Sequence, residues 1–129
     1  LKTKARKETQ MKFYKVMAIP AFLYGSETWI LTVADKKKIQ AAEMRFLRSV
    51  KGCTLLDKIP NEKIREELGI ISLEEKIINY RNEWRQHIDR MPPGRIPRRV
   101  LNKPKRRRLP GRPRKQWSDI LRRWKKHFA

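Results

Sequence analysis

Residues 72–91, with the sequence SLEEKIINYRNEWRQHIDRM, show the clearest helical pattern in the chain. Large apolar and aromatic side chains recur there at steps of three or four residues, which places them on one face of an α-helix. They are Leu73, Ile77, Tyr80, Trp84, Ile88 and Met91. Ser72 and Glu75 have the spacing of a capping box, and the Pro-Pro-Gly sequence at 92–94 ends the helix. The pattern predicts a buried stripe, so we expect Trp84→Ala to unfold the protein.

Two further helices are predicted before this stretch. Thr32 is a suitable N-cap, Asp35 lies where the helix dipole favours a carboxylate, and Gly52 is suited to a helix end. Apolar residues follow between them at helical spacing, namely Ile39, Ala42, Phe46, Leu47 and Val50. A shorter helix is expected from Asn61, as its cap, to Gly69.

The N-terminal residues are apolar but less regular. One helical face is predicted to contain Met11, Tyr14, Met17, Ala18 and Ala21. Pro20 disfavours helical backbone at the residue before it, so it should end or kink this helix. We expect residues 21–31, which are apolar and interrupted by Gly25, to form a buried kinked or renewed helix.

The charge of the chain is strongly positive and unevenly distributed. Lys and Arg number 34 against 13 Asp and Glu, which gives a net charge of +21. Residues 95–129 carry two thirds of it, a net charge of +14. Such crowded like charge repels itself unless a polyanion neutralises it, so we expect DNA or RNA as the partner. A membrane-surface helix at 116–128 is the least favoured interpretation.

The segment 95–116 is predicted to be a basic linker or arm. It holds eleven cations and four prolines with little to bury, which favours an extended chain that follows a phosphate backbone. Its candidate nucleic-acid-binding residues are Lys103, Lys105, Arg106, Arg107, Arg108, Arg112, Arg114 and Lys115. Arg81 and Arg85 of the helix at 72–91 are expected to add an outward-facing basic ridge. A solvated tail or a nuclear-import signal is the alternative.

Two features of the C-terminal region add to these expectations. Residues 111–115, Gly-Arg-Pro-Arg-Lys, resemble the core of an AT-hook, which inserts Arg into narrow A·T-rich minor grooves. Pro110 stands where that motif has its first Arg, and a domesticated chromatin-binding or interaction protein is the alternative function. An amphipathic helix is predicted over 117–129, with an apolar face that we expect to dock on the bundle. This face contains Trp117, Ile120, Leu121, Trp124 and Phe128.

No catalytic or metal site is predicted. The four aspartates are isolated in the sequence, no glycine-rich phosphate loop is present, and Cys53 is the single cysteine. We therefore expect no catalytic residue, metal, cofactor or small-molecule substrate. We also expect neither a signal peptide nor a membrane span, because no stretch approaches the roughly 20 apolar residues that a span needs. An intracellular, nuclear location is expected.

Three blocks of the sequence are similar to blocks of LINE-type (non-LTR retrotransposon) reverse transcriptases. Residues 12–29 contain KFYK, IP and LYGSETW, and resemble the family's YK…P…LLYGSETW block. Residues 81–91, RNEWRQHIDRM, resemble RxRWxGHVxRM, and residues 111–117, GRPRKQW, resemble GRPRxxW. The order and approximate spacing agree with the family. Gln86 stands where the family has Gly, and the zinc knuckle that some members carry is absent.

An all-α fold follows from the helical patterns, and the resemblance implies a role for each part. Residues 1–52 correspond to the polymerase thumb, and residues 53–94 continue a small helical bundle, before the linker at 95–116 and the helix at 117–129. The catalytic aspartates would lie in a polymerase domain upstream of residue 1. The chain would then be a non-catalytic part of an RNA-directed DNA polymerase that grips template–primer or target DNA.

Overall fold

Helices and short turns make up the part of the chain that the computed structural model describes, which is residues 5–102, 110–117 and 119; no β-strand occurs in it. The helices are α1 (Lys7–Phe13), α2 (Ile19–Leu23), α3 (Val33–Lys51), α4 (Asn61–Leu68), α5 (Leu73–Arg90) and α6 (Ile96–Leu101). A π-helical turn (Tyr14–Ala18) joins α1 to α2, and 3₁₀ turns occupy Ser26–Thr28 and Leu55–Asp57. The prediction of an all-α bundle is confirmed.

The predicted starts of the two long helices are confirmed. Thr32 Oγ1 accepts the amide hydrogen of Asp35 at 3.2 Å, and Asp35 Oδ2 accepts that of Thr32 at 2.9 Å. Ser72 Oγ likewise accepts from the Glu75 amide at 3.2 Å, but the reciprocal bond from the Ser72 amide to the Glu75 carboxylate is not formed, so only half of the predicted capping box is present. These bonds satisfy amide groups that have no partner inside a helix. Gly52 ends α3 at a φ of +81°, in the left-handed region that glycine adopts without strain.

The buried face of α5 is rotated relative to the predicted stripe. Its buried residues are Leu73, Ile77, Ile78, Arg81 and Ile88. Tyr80 and Trp84, which the stripe placed in the core, remain 43% and 37% exposed. The turn at Ser26–Thr28 packs against α5, and Arg81 donates a hydrogen bond to the backbone beside it. This distant contact decides which face is covered, so the prediction of a buried Trp84 is wrong.

The N-terminal helix keeps its path through Pro20 by widening one turn. The amide of Ile19 donates to the carbonyl of Tyr14, a five-residue step, directly before the residue that lacks an amide hydrogen. The buried side chains are consequently Tyr14, Ile19 and Leu23, whereas Met17 is 58% exposed. The predicted face was wrong at Met17 and also at Ala21, which is exposed. A π-helical turn adds one residue to the step, which a regular helical pattern does not foresee.

Residues 21–31 do not form a renewed helix. The chain leaves α2 after Leu23, passes Gly25 at a φ of +73°, and continues through a 3₁₀ turn in which Ser26 is fully buried. Trp29 is then extended, with a φ of −68° and a ψ of +138°. Gly25 adopts left-handed backbone that would strain other residues, so the helix is interrupted there.

The core lies where α3, α4 and α5 meet the N-terminal helices. Leu47 and Ile64 are inaccessible to solvent, and Ile77 is 1% exposed. Val50 is buried as predicted, whereas Ala42 is exposed. Ile39 and Phe46, also predicted for the core, pack against it while partly exposed.

Two predictions about helix ends need correction. Asn61 is the first residue of α4 and not its cap, which is Pro60, and the Asn61 Oδ1 atom accepts from Arg48 Nη2 at 3.0 Å. Residues 96–101 of the predicted arm form α6, with Pro97 in the first turn, where the missing amide hydrogen would have had no helical partner. Residues 103–109, and the predicted C-terminal helix apart from Trp117 and Asp119, lie outside the described residues.

A buried carboxylate joins the helices of the body. Glu43 of α3 is 3% exposed, and its Oε2 atom accepts from Arg65 Nη2 of α4 at 2.7 Å. Its Oε1 atom accepts from the Leu73 amide at 3.1 Å and from the Tyr14 hydroxyl at 3.4 Å. Burial, and next the negative charge of Glu43, raises the pKa of Tyr14 above its ordinary value, so the hydroxyl stays protonated and can donate. Sequence reasoning missed Glu43.

Glu43→Gln tests this network. The substitution leaves the partly buried Arg65 guanidinium without its counter-charge, so we expect the free energy of unfolding in urea to fall by about 3–5 kcal/mol. The control is Asp89→Asn, which breaks the exposed ion pair between Asp89 and Arg85 and should cost less than about 1 kcal/mol. Equal losses in the two variants would contradict a special role for Glu43.

The corrected face of α5 is tested by a pair of alanine variants. Ile77→Ala removes a 1% exposed side chain and should lower the free energy of unfolding by about 2–5 kcal/mol. Trp84→Ala removes a larger side chain that is 37% exposed, and we now expect the protein to stay folded. Thermal unfolding followed by circular dichroism compares the two variants. A larger loss of stability for Trp84→Ala would support the predicted buried face that contains Trp84.

Candidate nucleic-acid interface

The connection between α2 and α3 accepts hydrogen bonds from three side chains in two distant parts of the chain. We call residues 26–31 the carbonyl turn. The carbonyl of Glu27 accepts from Trp117 Nε1 at 2.6 Å, and that of Leu31 accepts from Lys115 Nζ at 2.8 Å. The carbonyl of Trp29, between them, accepts from Arg81 Nη2. Backbone carbonyls outside regular helix or sheet need partners when they are covered, and here side chains supply them.

Arg81 is a buried donor and not part of an outer basic ridge. It is 2% exposed, and burial lowers the pKa of its guanidinium. The ridge was predicted because a long charged side chain usually reaches solvent. In the fold, the Arg81 position of α5 faces the carbonyl turn, and the guanidinium finds the carbonyl of Trp29 instead. The predicted placement of Arg81 is therefore wrong.

Arg85, the other predicted ridge residue, lies nearer the surface of α5. Its side chain is 38% exposed, and its Nε atom lies 3.1 Å from Asp89 Oδ2, one helical turn further on. The neighbouring rings of Trp84 and His87 lie 5.3 Å apart at their centroids. Part of the Arg85 charge is thus balanced by Asp89. A nucleic-acid-binding role for Arg85 remains a prediction.

We call residues 110–117 the strap. The C-terminal end of the strap lies against the carbonyl turn. Trp117 and Lys115 make the contacts given above, and Arg112 and Arg114 are exposed. Asp119 Oδ2 accepts from the Gln116 amide at 3.1 Å, just after the strap begins to turn. The expected docking of the C-terminal region thus has a contact at Trp117. The other predicted binding residues, Lys103, Lys105, Arg106, Arg107 and Arg108, lie outside the described residues.

The strap lies next to the start of α3, where further cations are exposed. Leu31, which accepts from Lys115, directly precedes the cap residue Thr32. Hydrogen bonds from Thr32 are the main cause of a lowered pKa for the Asp35 carboxyl, and the charges of Lys38 and Lys115 lower it further. Lys38 is exposed on the following turn of α3. One carboxylate therefore feels a cation from α3 and a cation from the strap.

A groove runs along the other exposed side of α3. It has a volume of about 620 Å³ and lies between α3 and residues 53–61. Met44, Cys53 and Leu55 supply apolar lining, and Lys37 and Arg45 are exposed cations at its edge. No carboxylate lines this groove. Two other cations of α3 form ion pairs, Lys36 with Glu74 and Lys51 with Glu67, both at 2.5 Å.

The described residues contain no group of three His, Cys, Asp or Glu side chains that could hold a metal ion. Among the helices that the structure describes, none is both long and apolar enough to cross a membrane.

The sequence carried few signals for the donors of the carbonyl turn. Trp117 was assigned to an apolar face, although its indole nitrogen is a hydrogen-bond donor that needs a partner when covered. Lys115 was assigned to phosphate contact, yet its ammonium group also bonds Leu31. Glu27 lies in the 3₁₀ turn after Gly25, and Trp29 and Leu31 follow it in non-helical backbone, so side chains supply the donors to these carbonyls. That conformation was not foreseen, so the acceptors were missed.

The cap beside the strap gives a prediction about pH. Because Thr32 donates hydrogen bonds to the charged form, the pKa of Asp35 should lie below the ordinary aspartate value of about 3.9. Thr32→Ala removes the hydroxyl and should raise this pKa, as measured by NMR titration of the carboxyl carbon. The pKa of Asp35 is lower in the folded than in the unfolded protein. The stabilisation by the charged Asp35 is therefore present above pH ~4 and is lost as the pH falls through the pKa that Asp35 has in the folded protein. Thr54→Ala, in the similar cap of Asp57, is the control and should leave Asp35 unchanged; an equal shift in both variants would contradict the assignment.

Comparison with known proteins gives one relative. No family model and no solved structure matches the chain. The chain is 25% identical, over 122 residues, to a Caenorhabditis elegans protein that is described as transposon-derived. The match covers 90% of this chain and 44% of that protein, so the chain spans less than half the length of the relative. The chain is thus similar to a transposon-derived protein over most of its length.

Proposed function

We propose that the chain is the non-catalytic, nucleic-acid-binding C-terminal part of a LINE-type reverse transcriptase, and that it grips template–primer or target DNA through its exposed cations. The similarity to a transposon-derived protein supports the transposon origin. The catalytic carboxylates belong, in this proposal, to a polymerase domain elsewhere in a longer protein that acts in the nucleus. The chain supplies binding and no chemistry of its own.

The observation that carries the proposal is that the three blocks resembling this family meet in the fold. Arg81, in the second block, donates to the carbonyl of Trp29 in the first, 52 residues away. Trp117, in the third block, donates to the carbonyl of Glu27 in the first, 90 residues away. A shared architecture predicts contacts between such distant blocks.

The distribution of charge supports the binding role. Residues 95–129 carry a net charge of +14, and Arg112 and Arg114 of the strap are exposed. Exposed cations contact phosphates, and such contacts position a nucleic acid without reading its base sequence. The binding that we propose is therefore electrostatic and largely independent of sequence.

The dependence of affinity on salt tests the proposal. If the cations neutralise about six to eight phosphates, a plot of log association constant against log salt concentration for duplex DNA should have a slope of about −5 to −7. Replacing Arg106, Arg107 and Arg108 by Ala should make the slope shallower by up to about 2.7, because each lost phosphate contact removes about 0.9. Fluorescence anisotropy with a labelled duplex provides the measurement.

The matched control removes the same amount of charge elsewhere. Lys58, Lys63 and Lys76 lie outside residues 95–116, and their replacement by Ala should change the slope less than the arginine variant does. A wild-type slope near zero would refute the proposal. Displacement of the protein by a ligand specific for A·T minor grooves would favour the chromatin-binding alternative instead.

A further inference from the structure

We propose that Trp117 and Lys115 fasten the strap to the carbonyl turn, so that Arg112, Arg114 and the exposed Lys38 at the start of α3 form one preassembled phosphate-binding surface. This inference rests on the proposed function. It changes the picture of residues 110–117 from a free arm to an attached part of the helical body, and it assigns Trp117 a positioning role.

The first argument is the alternation of contacts along the strap. Lys115 and Trp117, two residues apart, both donate to the carbonyl turn, at Leu31 and Glu27. Residues 113–116 have no helix or turn. In a chain without helical twist, alternate side chains point to opposite sides. Arg112 and Arg114 lie on the opposite side by this alternation, and both are exposed, as are the other residues from 110 to 116.

The second argument is that the cations of the strap have different partners. Lys115 was predicted to contact phosphate, but its ammonium group bonds the carbonyl that precedes Thr32. It still contributes positive charge beside Lys38. Arg112 and Arg114 are left to contact phosphates. Guanidinium groups suit this role because they bind phosphate oxygens with two parallel hydrogen bonds.

The third argument is energetic. A free cationic segment loses conformational entropy when it is ordered on a nucleic acid, and this loss weakens binding. A strap already fixed at Trp117 has lost part of that entropy on folding. If release leaves only a fraction of molecules with the surface assembled, the apparent dissociation constant rises in inverse proportion to that fraction.

Trp117→Phe is the variant that tests this inference, because it removes the indole donor and keeps both the aromatic ring and the net charge. Loss of one hydrogen bond should lower the affinity for a labelled mixed-sequence duplex by about three- to tenfold. The salt slope should stay unchanged, since no phosphate contact is removed. The matched control is Trp84→Phe, the same chemical change on α5, which should leave the affinity within about twofold.

A second pair of measurements separates the attachment of the strap from the charge of its arginines. Arg112→Gln with Arg114→Gln removes two cations and should make the salt slope shallower by about 1.8, while the NMR signal of the Trp117 indole N–H, assigned by its absence in Trp117→Phe, stays protected from exchange with water. Circular dichroism checks that each variant remains folded.

The outcomes distinguish a failure of the proposed function from a failure of the strap inference. Wild-type protein that binds no duplex at low salt refutes the proposed function, whatever the indole signal shows. Binding with the expected slope, combined with an unprotected Trp117 indole or with no effect of Trp117→Phe on affinity, overturns the strap inference alone. Tighter binding by Trp117→Phe also overturns it, because a released arm would then bind better than the attached strap.

Discussion

The carboxylate of Glu43 determines how the helices of the body meet. A buried carboxylate is costly unless hydrogen bonds and an opposite charge replace the water that it loses. Arg65, the amide of Leu73 and the hydroxyl of Tyr14 do this, and each comes from a different helical segment. Apolar packing alone tolerates small shifts of one helix against another. A directional network does not, so Glu43 selects one relative placement of α3, α4, α5 and the N-terminal helices.

The carbonyl turn is the second element on which the architecture depends. Its backbone carbonyls, rather than its side chains, require hydrogen-bond partners. α2 ends before Gly25, and the chain then passes through the 3₁₀ turn at Ser26–Thr28 and a short non-helical stretch to the cap of α3. Carbonyls in such a segment have no helical partners. Arg81 and Trp117 supply the donors. The amphipathic pattern of the sequence predicts Arg81 at the surface and Trp117 in apolar packing. The turn thereby brings the C-terminal region to the start of α3, beside Lys38.

The elements that were predicted correctly are those with local signals. The caps at Thr32 and Ser72 and the stop at Gly52 depend on residues within a turn of each helix end, so the sequence near them is sufficient. The orientation of α5 depends on a turn some fifty residues away in sequence, and Trp84 was therefore misplaced. The π-helical turn before Pro20 shifts the buried face by one residue, which displaced Met17. For the site, the exposure of Arg112 and Arg114 was foreseen, whereas the burial of Arg81 and the donor role of Trp117 required the fold.

The long separation of the strap from its acceptors has a consequence for the order of folding. The contacts of Trp117 and Lys115 close chain segments of 90 and 84 residues, and closing long segments is slow and entropically costly. The helices from α1 to α5 are joined by short connections, and each hydrogen bond at Glu43 joins residues at most 30 positions apart. The helical body therefore assembles first, and the carbonyl turn must already be in place before the C-terminal region can attach. During synthesis by the ribosome, the cations of 95–116 emerge after α1 to α5, when the helical body that receives the strap is already able to form.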